Sequence, residues 1–147
     1  MLASAEQSGS VVPVILLGST GSIGTQAREV IDAHPGRFRV VGVSAGGSSI
    51  DVLAEQIVAL APAFVGVARD VREELDAAVR ALGGQCPQIF VGEQASVDVV
   101  RASVERAGEE LPGLVPVVLN GITGGVGLSS TLAALESGAR LALANKE

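Results

Sequence analysis

Aromatic residues make up only 2% of this chain: there is no tryptophan, no tyrosine, and three phenylalanines among 147 residues. A core without rings must be filled by aliphatic side chains, and the hydrophobic share is 48%, carried mainly by Val, Ile, Leu and Ala. That composition suits strands buried on both faces between helices better than a solvent-facing sandwich. Cysteine occurs once, at Cys86, which excludes an intrachain disulfide and fits a reducing cytoplasm. His34 is the only histidine. With no second histidine and no carboxylate cluster around it, helix-end capping is favoured over metal binding or catalysis. No Lys/Arg cluster offsets the net charge of -6, which argues against nucleic acid and anionic membranes as partners. Gly, Pro or charged residues interrupt every apolar run before it reaches the length of a membrane span. Residues 1–10 have neither the basic start nor the apolar centre of a signal peptide and are expected to form a disordered tail. Residues 11–147 are expected to form one domain.

Glycine is abundant, and its placement is informative. An apolar run over 11–17 leads into Gly18-Ser19-Thr20-Gly21-Ser22-Ile23-Gly24, and a helical pattern follows from Ile23 to about residue 33. A strand, a glycine turn and a helix start form a phosphate cradle. Glycine lets the backbone approach a pyrophosphate, and the first helical N–H groups have no intrahelical acceptor. The spacing is Gly-x-x-Gly-x-x-Gly, and a glycine-rich turn of no further role is the alternative reading.

His34-Pro35-Gly36 stops the first helix, and residues 38–43 read as a second buried strand. It ends in Ser44-Ala45-Gly46-Gly47-Ser48-Ser49, where a dinucleotide fold places the adenosine ribose. An acid there would hold a free 2′-hydroxyl and repel a 2′-phosphate; none is present, which favours NADP over NAD. An ordinary loop with Ser48 or Ser49 as helix N-cap stays open. Helices are expected over 51–60, 71–82, 95–107 and 128–135, and strands over 64–68, 89–92, 114–119 and 140–144. The alternation predicts an α/β, Rossmann-like, doubly wound and mainly parallel sheet with helices on both faces. Asn120-Gly121-Ile122-Thr123-Gly124-Gly125-Val126-Gly127, at the end of a strand, is expected to line the nicotinamide side of the crevice, with a plain tight turn as the alternative. Glu73-Glu74 and Glu109-Glu110 are adjacent pairs that do not share a helix face and read as solvated surface. Asn145-Lys146-Glu147 closes the sequence at the end of a strand, as ligand-crevice residues or as a plain surface terminus.

The glycine turn, Ala45-Gly46-Gly47, Gly127-Leu128 with Thr131-Leu132-Ala133-Ala134-Leu135, and Leu143-Ala144-Asn145-Lys146-Glu147 together resemble the 1-deoxy-D-xylulose 5-phosphate reductoisomerases in order and spacing. The resemblance runs from about Val12 to Glu147 and covers only that family's amino-terminal NADPH-binding domain. It implies an enzyme of non-mevalonate isoprenoid synthesis. Such an enzyme rearranges 1-deoxy-D-xylulose 5-phosphate and reduces the product to 2-C-methyl-D-erythritol 4-phosphate, using NADPH and a divalent metal, Mg or Mn. Carried over by position, Thr20, Gly21, Ser22 and Ile23 hold the pyrophosphate. Gly46, Gly47 and Ser48 lie at the 2′-phosphate, Asn145 and Glu147 near the nicotinamide half, and Lys146 on the substrate. Two departures stand out. Many members have a lysine and an asparagine where this chain has Gly47 and Ser48, and Asn120-Gly121-Ile122-Thr123 replaces a more usual Asn-Ala-x-Val. The resemblance also implies a homodimer at full length. The metal ligands and the catalytic and carboxy-terminal domains are expected downstream, so the chain is expected to be a fragment that does not catalyse alone. A short-chain-type reductase or epimerase competes weakly, since it needs a tyrosine, and a non-catalytic nucleotide-binding module is the third reading.

Overall fold

A computed structural model describes residues 11–123 and 125–143. The expected tail over 1–10, Gly124, and the candidate residues Asn145, Lys146 and Glu147 lie outside the described residues.

The chain alternates strand and helix: β1 (Val12–Leu17), α1 (Ser22–Ala33), β2 (Phe38–Ala45), α2 (Ile50–Leu60), β3 (Phe64–Val67) and α3 (Arg72–Ala81). It continues through β4 (Gln88–Val91), α4 (Ala95–Glu110), β5 (Val117–Asn120), a 3-10 turn (Gly125–Gly127), α5 (Leu128–Glu136) and β6 (Arg140–Leu143). The six strands form one sheet in the order β4-β3-β2-β1-β5-β6, and every neighbouring pair is parallel. Strand order therefore reverses between β1 and β5, which in a doubly wound sheet opens a crevice at the carboxyl ends of those two strands.

Both faces of the sheet are covered, as the aliphatic strands require. Val14 and Leu16 point into a core shared with Leu53 and Ile57 of α2 and Leu75 and Val79 of α3, against which Ala27 and Ile31 of α1 also pack. Ile15 and Leu17, the alternate residues of β1, point into a second core with Val97, Val99 and Val100 of α4 and Ala133 and Ala134 of α5. Close seating of α4 depends on glycine in two strands. A Cβ at Gly42 would collide with the Ser103 side chain, and one at Gly66 would lie 2.8 Å from Val99 Cγ2.

The expected element boundaries shift where pairing or capping decides them. The fifth strand begins at Val117, not at 114, because ladder pairing with β1 starts at Val14–Val117 and Pro116 has no N–H to give. The second strand runs on to Ala45, held by β1 as far as Ser44 and by β3 at Val67. Helix α4 extends three residues past the expected 107 and takes Glu109 and Glu110 into its last turn. Gly138 follows α5 with φ +81, and its N–H donates to the Leu135 carbonyl, the left-handed stop expected there.

Candidate functional site

A crevice of about 620 Å³ opens at the carboxyl edge of the sheet. Its walls bring together Gly18, Thr20, Gly21, Ser22 and Ile23 of the first glycine turn, Ser44 to Gly46 at the end of β2, and Gly121 to Thr123 after β5. Of the residues expected to bind cofactor, Thr20, Gly21, Ser22, Ile23 and Gly46 line this one space. Gly47 and Ser48 follow Gly46 in the chain but are not part of its wall.

The glycine turn is held from three sides. Gly18 takes φ +72, and a Cβ there would stand 3.0 Å from the Gly121 carbonyl carbon, so the turns after β1 and β5 can touch only as glycines. The Gly121 N–H donates to the Leu17 carbonyl at 2.9 Å, joining the same two strand ends. Ser19, fully buried, donates its N–H to the Ser44 carbonyl at 2.9 Å and accepts at its own carbonyl from Gln56 Nε2 at 2.8 Å. Gly24 lets α1 sit directly on the turn, because a Cβ there would overlap the carbonyls of Gly18 and Ser19. Helix α1 then begins at Ser22 with Gly21 as N-cap and no capping side chain. Among the described residues the backbone N–H groups of Ser22, Ile23 and Gly24 have no acceptor, and the first bond into the helix is Thr25 N–H to the Gly21 carbonyl. Of these, Ser22 and Ile23 are exposed and border the crevice, and unpaired N–H groups at a helix start favour an anion.

The opposite wall is fixed by Asn120. Its buried amide donates to the Gly127 carbonyl at 3.0 Å and to Thr131 Oγ1 at 2.9 Å, and its Oδ1 accepts from the Ile122 N–H at 3.1 Å. Asn120 thus ties the end of β5 to the start of α5, and Gly121, Ile122, Thr123, Val126 and Ser129 line the crevice on this side. Ser96 Oγ donates to Ser44 Oγ at 2.8 Å, closing the side next to β2.

Sequence reasoning missed Gln56, Ser44, Ser96 and Asn120's stapling role. Gln56 carried a signal: it lies three residues after Leu53 and four before Leu60, on the apolar stripe of its helix, where a polar group needs a partner.

His34 is the C-cap residue of α1, with Nδ1 2.9 Å from the Val30 carbonyl. Burial, and secondarily Asp76, push the half-buried Cys86 thiol up, away from the thiolate a nucleophile needs. Glu109 and Glu110 face Arg106, and Glu110 also pairs with Arg39 at 3.2 Å. Ser49 is the N-cap residue of α2, yet its hydroxyl makes no capping bond. Among the described residues no group of three or more His, Cys, Asp or Glu is placed to hold a metal ion. No described helix is long and apolar enough to cross a membrane.

A parallel sheet with a glycine turn and a bare helix start at its reversal point defines a dinucleotide-binding α/β domain. The particular lineage follows from comparison: the family model described as 1-deoxy-D-xylulose 5-phosphate reductoisomerase matches residues 14–147, and the chain belongs to that family. A reductoisomerase of Beutenbergia cavernae is 51% identical over 134 residues, covering 91% of this chain and 31% of that relative. One of Paenarthrobacter aurescens is 48% identical over 140 residues, covering 91% and 33%. The fold is similar to a DOX-P reductoisomerase crystallised with NADPH, fosmidomycin and magnesium, at TM-score 0.73 and 29% identity, over 91% of this chain and 30% of that one. It is also similar to the Zymomonas mobilis enzyme in complex with NADPH, at TM-score 0.69 and 26% identity, over 91% and 32%. The chain spans about a third of the length of the curated relatives it matches.

Proposed function

We propose that this chain is the NADPH-binding part of a 1-deoxy-D-xylulose 5-phosphate reductoisomerase. The observation that carries the reading is the pair of unpaired N–H groups of Ser22 and Ile23 at the crevice between β1 and β5. Thr20, Gly21, Ser22 and Ile23 hold the pyrophosphate, with the Thr20 and Ser22 hydroxyls as further donors. Gly46, Gly47 and Ser48 meet the adenosine 2′-phosphate, and Ile122, Thr123 and Val126 face the nicotinamide half. Asn145 and Glu147 join the cofactor site, and Lys146 takes the substrate.

When bound, NADPH supplies the hydride that reduces the rearranged sugar phosphate. The chain's own contribution is to hold the cofactor still and aim it across the carboxyl edge, with Asn120 keeping that wall rigid. The divalent metal is an expectation for the full-length enzyme on the family resemblance, and the described residues offer no ligand set for it. A homodimer is the expected full-length state on the family resemblance, and the single cysteine supports a reducing cytoplasm as its compartment.

Titration calorimetry of the chain with NADPH and NADH tests the reading. Binding of NADPH in preference to NADH, with no turnover of 1-deoxy-D-xylulose 5-phosphate by the chain alone, is the expected result. Failure to bind either dinucleotide overturns it.

A further inference from the structure

The loop after β2 contains no basic side chain of its own, since it reads Gly46-Gly47-Ser48-Ser49. At Gly47 the backbone takes φ +107, a conformation that strains any L side chain, so a cation is poorly placed to come from that position. The neighbouring loop, between β3 and α3, brings one. Ala68 and Arg69 donate their backbone N–H groups to the carbonyls of Ala45 and Gly46, both at 3.2 Å, so the two loops run together at the crevice rim. Arg69 Nη2 donates to the Gly47 carbonyl at 2.9 Å, and a Cβ at Gly47 would lie 3.7 Å from Arg69 Nε. Arg69 is exposed, and among the described residues it makes no ion pair. The adjacent carboxylate does not neutralise it, because Asp70 is taken by Arg72 through two bonds of 2.9 Å.

We propose that Arg69 is the residue that sets the preference of this chain for NADPH over NADH, its guanidinium receiving the 2′-phosphate beside Gly47. This inference rests on the dinucleotide reading above. One guanidinium N–H steadies the loop, and the others are free to form charge-assisted bonds to a phosphate dianion, which a 2′-hydroxyl cannot match. The site thus obtains its charge from across the sheet edge, from the loop of the third strand.

The test is titration of the 147-residue chain and of Arg69→Gln and Arg69→Lys with NADPH, NADH and 2′,5′-ADP. Glutamine retains an amide donor for the Gly47 carbonyl but no charge, and lysine retains the charge without the planar fork. Expected for Arg69→Gln is a loss of about ten- to hundredfold in affinity for NADPH and 2′,5′-ADP with NADH unchanged, and for Arg69→Lys a smaller loss. Equal weakening of NADPH and NADH would make Arg69 a brace for the loop, and unchanged affinities would make it a surface residue; either overturns the inference and leaves the cofactor reading intact. Absence of binding by the parent chain to any of the three ligands overturns both.

Discussion

Gln56 is 1% exposed and occupies the buried face of α2, where its neighbours Leu53 and Ile57 fill the core. Its amide gives one hydrogen bond, to the Ser19 carbonyl, while among the described residues its own Oε1 and Ser19 Oγ have no partners. A polar group retained at this depth with half its capacity unused contributes little to packing; its effect is to fix the turn just before Thr20. Gln56→Leu keeps an apolar body of similar length and removes the donor, leaving the Ser19 carbonyl buried without it. The expected cost is about 1–3 kcal/mol, read as a lower urea midpoint at unchanged slope. NADPH affinity should fall with it, because the Thr20-to-Ile23 segment loses its anchor. Parental values for both would mean that the Ser19 N–H bond to Ser44 is sufficient to hold the turn.

At the scale of elements, α1 and α2 lie side by side and are joined by Arg28, whose guanidinium takes Glu55 through bonds of 2.7 and 2.8 Å and Asp32 at 2.8 Å. The Arg28 hydrogen bond holds the Glu55 carboxyl below its ordinary range, although desolvation opposes it. The sign follows from that direction. Glu55 binds its proton less readily in the folded chain than in the unfolded one, so the pair's contribution is fully present above the ordinary glutamate value. It drains away as pH falls through the lowered one. Because Glu55 is half-exposed, the contribution is on the order of 1 kcal/mol or less. Glu55→Gln should therefore be slightly less stable than the parent near neutrality and converge with it on acidification, as followed by thermal unfolding across that range. A constant offset at every pH would show that the carboxylate charge is not what joins the two helices.

The elements themselves were legible from local signals, such as the apolar runs of β1 to β3, Gly138 after α5 and the glycine turn before α1. What was not legible depends on neighbours in space. The start of β5 at Val117 is set by the end of its ladder with β1, and the extra turn of α4 runs through charged residues that carry no apolar period. Arg69 stands 22 residues from Gly47, and nothing in the local sequence shows that these two loops meet.

For the whole molecule, the reversal of strand order does most to organise the chemistry, because it leaves the ends of β1 and β5 adjacent and puts β6 next in line. Leu143 of β6 pairs with Asn120 of β5, so the last strand reaches the carboxyl edge where Asn120 fixes the crevice wall, and Lys146 follows three residues later in the sequence. In a full-length protein, Lys146→Ala removes an ammonium that the proposed function gives to the substrate, the pyrophosphate being proposed for the α1 N–H groups and Thr20. The expected outcome is a fall in kcat/KM for 1-deoxy-D-xylulose 5-phosphate equivalent to about 1.5–3 kcal/mol, the scale of a lost charged hydrogen bond. The dissociation constant for NADPH should stay near the parental value. The two measurements separate roles that proximity alone does not: a substrate-orienting residue acts on the reaction, and a cofactor ligand acts on binding. A variant that lost NADPH affinity but turned over normally at saturating cofactor would move Lys146 into the dinucleotide site and out of the substrate's.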